Sequence, residues 1–278
     1  MIRTAAALAV AAQVAPAALF VPAVRAAVSP ALSGIGDPGH VALTFDDGPH
    51  PRSTPKFLDV LAAHGVRATF FVLGRELARE PWLGAEIAAA GHEIALHGWD
   101  HRCLLRRGIR AVHDDFARGV DVIERVTGSR PRWVRAPYGV FTGASLVAAR
   151  RLRLTPVLWT CWGFDWTARA TPESVTSTVL NGLRGGGTIL LHDSDVAAAV
   201  GAWRSALGAL PLLLEHCRER GLAVGPLAGH GMMAGRHALG DLDPVVQFGG
   251  GFQRGLRRPA GRAEHERGEH RRRDPAAR

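Results

Sequence analysis

Val41-Ala42-Leu43-Thr44-Phe45-Asp46-Asp47-Gly48-Pro49 is the stretch on which the fold turns. An uncharged, mostly apolar run ends in two adjacent carboxylates, and Gly-Pro then bends the chain. Neighbouring strand residues point to opposite faces, so both carboxylates reach one place only where the strand stops. A polar turn opening a helix would explain Asp-Gly-Pro equally well when taken alone.

Working outward from this strand, apolar runs alternate with longer amphipathic stretches. Strands are expected at 41–45, 68–73, 93–96, 133–135, 155–159 and 188–191, with a last one at 222–224. Helices are expected at 54–63, 76–90, 109–126, 144–151, 173–183 and 203–220, several closed by glycine. Strands separated by helices of this length imply βαβ units and a parallel sheet. Seven or eight such units in under 200 residues favour a small (β/α)7–8 barrel, an α/β fold, over an open sheet.

The flanks read differently. Arg3 precedes an uncharged run from Thr4 to Val24, and Val24-Arg25-Ala26 resembles a small-residue cleavage sequence. Residues 1–27 are therefore expected to be a signal peptide or an uncleaved membrane anchor, placing the protein outside the cytoplasm, secreted or held at the cell envelope. Residues 28–39, with Pro30, Gly34, Gly36, Pro38 and Gly39, read as a linker, and 40–225 as the catalytic domain. Residues 226–278 read as a tail of low order, with a brief turn or strand at 239–248.

The composition, 47% hydrophobic and 21% charged over 278 residues, excludes wholesale disorder. Cys103, Cys161 and Cys217 show no metal-ribbon spacing and are too few for a disulfide framework. A net charge of +9 raises the question of nucleic acid. The tail alone carries ten arginines against six acids, and no arginine stripe with interleaved aromatics occurs. A solvated, mixed-charge tail is the simpler reading, with no nucleic-acid partner and a monomer expected.

In a β/α barrel, chemistry collects where strands end. His97 and His101 follow the third strand at i, i+4, a spacing that serves one metal from a helical turn or a tight loop. With one of the aspartates they form an open site, leaving room for water and substrate. Arg135 follows the fourth strand and can hold a carboxylate ionised. Asp165 and Trp166 follow the next, beside Trp159, Trp162 and Phe164, and His192 ends the sixth. Each has a bland alternative: a surface arginine, a core tryptophan, a satisfied strand-end histidine.

Taken together in this order, TFDDGP, HxxxH, RxPY, DW and LxHD resemble the polysaccharide deacetylase family, the NodB-homology or family 4 carbohydrate esterases. The resemblance spans about residues 41–224. It implies a distorted barrel, one divalent metal ion (zinc, with cobalt or nickel fitting the same ligands) and an N-acetylated glycan substrate. By the resemblance, Asp46 is the catalytic base, and Asp47, His97 and His101 are the metal ligands. Arg135 orients the base, Tyr138 contributes a backbone N–H to the oxyanion, and Asp165 tunes His192, the general acid. Trp166 lines the groove and Leu190 an acetyl-methyl pocket. Gly98 departs from the pattern, which has Ser or Thr there, a hydroxyl that normally steadies the histidine loop.

Overall fold

The computed structural model describes residues 2–232. Its strands are β1 (His40–Asp46), β2 (Thr69–Val72), β3 (Glu93–Leu96), β4 (Trp133–Val134), β5 (Thr155–Pro156), β6 (Cys161–Trp162), β7 (Thr188–His192) and β8 (Ala223–Gly225). The helices are α1 (Ile2–Val14), α2 (Pro22–Val28), α3 (Thr54–Ala63), α4 (Gly74–Arg79), α5 (Pro81–Ala89), α6 (Ile109–Thr127), α7 (Gly143–Arg151), α8 (Pro172–Gly182) and α9 (Trp203–Glu219). All strand pairs are parallel, in the order β5-β4-β3-β2-β1-β7-β6, and β8 pairs the start of β1. This is the expected distorted barrel, with its hydrogen-bonded path open between β5 and β6.

Period-2 alternation divides the core. Leu43 and Phe45 of β1 pack outward with Phe57, Leu61 and Phe70 beneath the helices. Ala42 turns inward, where Phe71, Ala95, Trp133, Val157 and Leu227 form a second, smaller cluster. That inward row continues by twos. Thr44 and Asp46 extend it on β1, His97 follows Ala95, Arg135 follows Trp133, and Asp46 pairs in register with His192. The strands that build the barrel interior thus also aim the functional groups.

Four expectations change. The helix at 76–90 splits into α4 and α5, because Pro81 lacks an N–H and starts a new helix instead. The strand at 155–159 breaks into β5 and β6. Between them the carbonyls of Val157, Leu158 and Trp159 are taken by arginine side chains rather than by a neighbouring strand. Residues 28–39, read as a linker, are packed: Leu32 is buried, Leu158 N donates to Leu32 O at 2.8 Å, and Thr188 Oγ1 donates to Gly34 O at 2.5 Å. The tail start at 226 moves too. Leu227 and His230 are buried, and His230 Nε2 faces the carbonyls of Gly34 and Gly186 at 3.1 Å each. The rest of the expected tail, with the turn or strand at 239–248, lies outside the described residues.

The N-terminal run is also folded against the barrel. Among the described residues no single helix is long and apolar enough to cross a membrane; 6–20 and 22–28 pass that test only as a pair bent by 111°.

Two buried histidine arrangements make the fold sensitive to acid. His92 Nδ1 accepts from Ala68 N at 3.1 Å, so it must stay unprotonated; burial, aided by Arg67, pulls its pKa from 6.5 to about 4. His40 and His230 face each other through Nδ1 atoms 2.8 Å apart, and burial lowers both. A histidine with a depressed folded-state pKa leaves the unfolded chain binding more protons, so stability is lost as pH falls below about 6.5. Asn at position 92 keeps an acceptor and removes the titration. His92→Asn is expected to flatten the pH dependence of the urea midpoint between pH 6.5 and about 4; superimposable curves for the two proteins would contradict this.

Candidate active site

The site lies at the carboxyl end of the barrel. β1 stops at Asp46, and Asp47 takes a left-handed φ of 76°. That turn brings both carboxylates to one side, with Asp46 Oδ2 3.6 Å and Asp47 Oδ1 3.4 Å from His97 Nε2. Behind them, Thr54 Oγ1 donates to Asp193 Oδ2 at 2.5 Å and accepts from His50 N at 2.8 Å, pinning the turn to the end of β7.

Asp46 is buried beneath Arg135. Arg135 Nη1 donates to Asp46 Oδ1 at 2.7 Å and reaches Thr44 Oγ1 at 2.9 Å. Nη2 donates to Leu158 O at 2.9 Å and Nε to Val157 O at 3.4 Å, and the guanidinium lies 4.0 Å above the Phe71 ring. Burial pushes the Asp46 pKa up, and the Arg135 charge and hydrogen bond oppose that rise.

Asp47, His97 and His101 form a second unit. Their facing ligand atoms all lie within 4.8 Å of one another, and Asp47 Oδ1 is buried without a hydrogen-bond donor. His97 Nδ1–H donates to Arg135 O at 2.9 Å, which leaves its Nε2 lone pair facing Asp47. Burial pulls both imidazoles down to about 3 and pushes Asp47 up to about 7. The contacts between these groups are therefore carboxylate against neutral imidazole, not ion pairs. An orphaned oxygen between two unprotonated nitrogens, all from a His-His-Asp set, fits a divalent cation.

His192 faces the pair from β7. Asp165 accepts from its Nδ1 at 3.1 Å and from its backbone N at 2.7 Å. Burial alone would lower the His192 pKa, but Asp165, with Asp47 and Asp46, raises it to about 10. Its Nε2 lies 4.0 Å from Asp47 Oδ2. Trp166 stands 5.6 Å from the His192 ring and continues into Phe164 and Trp162. Leu190 is buried one inward step before His192, in register with Thr44. Tyr138, at φ 60°, sets its exposed ring 4.4 Å from His101. All ten residues singled out in the sequence gather at this one end.

The structure also shows how the histidine loop is held without a hydroxyl at position 98. Gly98 has φ 81°, and a Cβ there would meet Asp115 Oδ1 at 3.3 Å. Asp115 itself accepts from Trp99 N at 2.9 Å and from Arg107 at 2.5 Å, while Arg118 stacks 3.6 Å over Trp99. Gly74 N and Arg75 N tie down the carbonyls of Gly98 and Trp99. Asp115, like Asp193, was not among the residues singled out. Its signal was present: it occupies an apolar-face position of α6, between Val112, Phe116 and Gly119.

A model of the polysaccharide deacetylase family matches residues 34–157. The chain is 37% identical over 194 residues to a chitooligosaccharide deacetylase of Bradyrhizobium sp. (strain ANU 289), covering 67% of this chain and 88% of that one. Its fold superposes on the crystal structure of a peptidoglycan N-acetylglucosamine deacetylase with a TM-score of 0.67 and 29% identity, covering 72% and 92% of the two chains. A family 4 carbohydrate esterase from Streptomyces lividans, solved with acetate, gives a TM-score of 0.61 at 29% identity, covering 67% and 92%.

Asp115→Ala removes the carboxylate that fixes the loop carrying His97 and His101. Zinc affinity measured by calorimetric titration is expected to fall by about tenfold or more, the usual cost of losing an outer support. An unchanged affinity would show that the loop is held by its backbone alone.

Proposed function

The chain belongs to the polysaccharide deacetylase family, and we propose that it is a metal-dependent hydrolase removing N-acetyl groups from a polysaccharide or glycoconjugate, releasing acetate and a free amino sugar. The observation that carries this reading is the opposed setting of two groups around one spot: Asp46 beneath a buried guanidinium, and His192 held by Asp165. Amide hydrolysis needs a base to activate water and an acid to release a poor leaving group.

Asp47, His97 and His101 would hold the ion; zinc suits this donor set first, with cobalt or nickel able to replace it. Bound there, such an ion supplies Lewis acidity toward the acyl oxygen and toward water. Asp46 takes the proton of the attacking water. Arg135 opposes the rise that burial imposes on Asp46, favouring the charged form that a base needs. Negative charge then grows on the former carbonyl oxygen, and the Tyr138 backbone N–H, by the family resemblance, would help hold it. His192, kept protonated by Asp165, delivers a proton to the departing amine. Leu190 would receive the acetyl methyl. The rings of Trp166, Phe164 and Trp162 offer apolar faces of the kind sugar rings stack on. The names of the relatives support both chitooligosaccharide and peptidoglycan glycans as substrates.

Three measurements test the roles. Asp46→Asn is expected to abolish acetate release from N-acetylglucosamine oligomers while zinc stays bound; loss of zinc with retained turnover would overturn the assignment of Asp46 as the base. Chelation should abolish, and zinc restore, the same activity. His192→Ala is expected to be slow on amides and milder on activated esters, whose leaving groups need less protonation. Equal losses on both substrates would exclude a general-acid role.

A further inference from the structure

The opening between β5 and β6 is filled by residues from the chain's beginning. Arg25 is only 5% exposed, in a run whose composition suggests a removable leader. Its Nη1 donates to Leu19 O at 2.8 Å and Phe20 O at 3.2 Å, its Nε to Ser33 Oγ at 3.1 Å, and its Nη2 to Trp159 O at 3.0 Å. Next to it in the opening, Leu158 N donates to Leu32 O at 2.8 Å.

The polar groups of residues 157–159 are thus divided between two arginines. Arg135 takes the carbonyls of Val157 and Leu158; Arg25 takes that of Trp159, and Leu32 takes the Leu158 N–H. Without the N-terminal segment, two main-chain groups of this tripeptide lose their partners, although Leu158 and Trp159 are buried. The carbonyls that seat Arg135 would lose their anchor on the other side.

Three more contacts make the docking specific. Gln13 Nε2 donates to Arg107 O at 3.0 Å, and its Oε1 accepts from Ala144 N at 3.0 Å, joining the histidine-side loop to α7. Gly143 has no room for a Cβ, because the Ala12 carbonyl occupies that place. Phe20 packs edge-on to Trp159 and Trp162, at 6.4 and 6.0 Å. Through Trp162 it joins the aromatic run that reaches Trp166 and His192.

We propose that residues 13–34 are a permanent wall of the active site and that Arg25 is a positioning residue for Asp46, acting through the 157–159 backbone and Arg135. The positioning role rests on the deacetylase reading above; retention of the segment does not. A peptidase cut after Ala26 would separate Arg25 from the barrel it closes.

The test uses the full chain, exported from a bacterial host. Intact mass is expected to show a protein that still contains Gln13; an exported chain beginning between Ala26 and Val28 overturns the proposal. Arg25→Met is expected to lower kcat on N-acetylglucosamine oligomers by about tenfold or more with KM within about threefold, the pattern of a misplaced reacting group. Arg25→Lys, which keeps the charge and part of the bonding, should fold and fall between the two. Wild-type kcat in either variant overturns the positioning role. An activity-free measurement runs alongside: amide hydrogen exchange at Leu158 is expected to speed up in both variants, and unchanged exchange also overturns the proposal. If the wild type releases no acetate while the mass and exchange results hold, the deacetylase reading fails and the wall stands.

Discussion

Arg135 is the constraint on which the rest of the site depends. Its guanidinium is fully buried, and a buried charge is tolerable only when it is paired and hydrogen-bonded. Asp46, Thr44, Val157 and Leu158 accept from it, while the Arg135 carbonyl accepts from His97 Nδ1 and its amide donates to Leu96 O. One residue therefore fixes the Asp46 carboxyl group with its side chain and the His97 tautomer with its backbone. Breaking a buried pair by removing one partner typically costs about 3–5 kcal/mol, so the barrel and the chemistry share a support.

Much of this was legible because both the sheet and the site obey period 2. The strand ends at Asp46, His97, Arg135 and His192 were visible as polar residues closing apolar runs, and the order of the motifs linked them into one family pattern. What sequence reading missed lies where long-range contacts override local composition. Residues 28–39 carry the prolines and glycines of a linker, but Leu32 and Gly34 offer carbonyls to Leu158 and Thr188. The strand at 155–159 has the right apolar content, yet its backbone is claimed by arginines from elsewhere in the chain. Asp193 closes the LxHD motif without a role of its own, and Asp115 belongs to no motif. Only a misplaced charge in the apolar stripe of α6 pointed to Asp115.

The comparison of two neighbouring aspartates shows how little separates their roles in sequence. Asp46 ends a regular strand and meets an arginine; Asp47, one residue on, has turned to φ 76° and meets two neutral imidazoles. Burial raises both carboxyls; at Asp46 the Arg135 charge works against the rise, while at Asp47 the His192 charge works against it and the Asp46 carboxylate adds to it. Different duties follow from a single change of backbone region.

The wall at the barrel opening has a consequence for the order of events during synthesis. Arg25 meets Trp159 across 134 residues, Gly34 meets Thr188 across 154, and Gly34 meets His230 across 196. Contacts of such separation close the largest loops and come late on entropic grounds. Residues made before the barrel strands are thus among the last to find their places. Until then they remain an unattached, mostly apolar stretch.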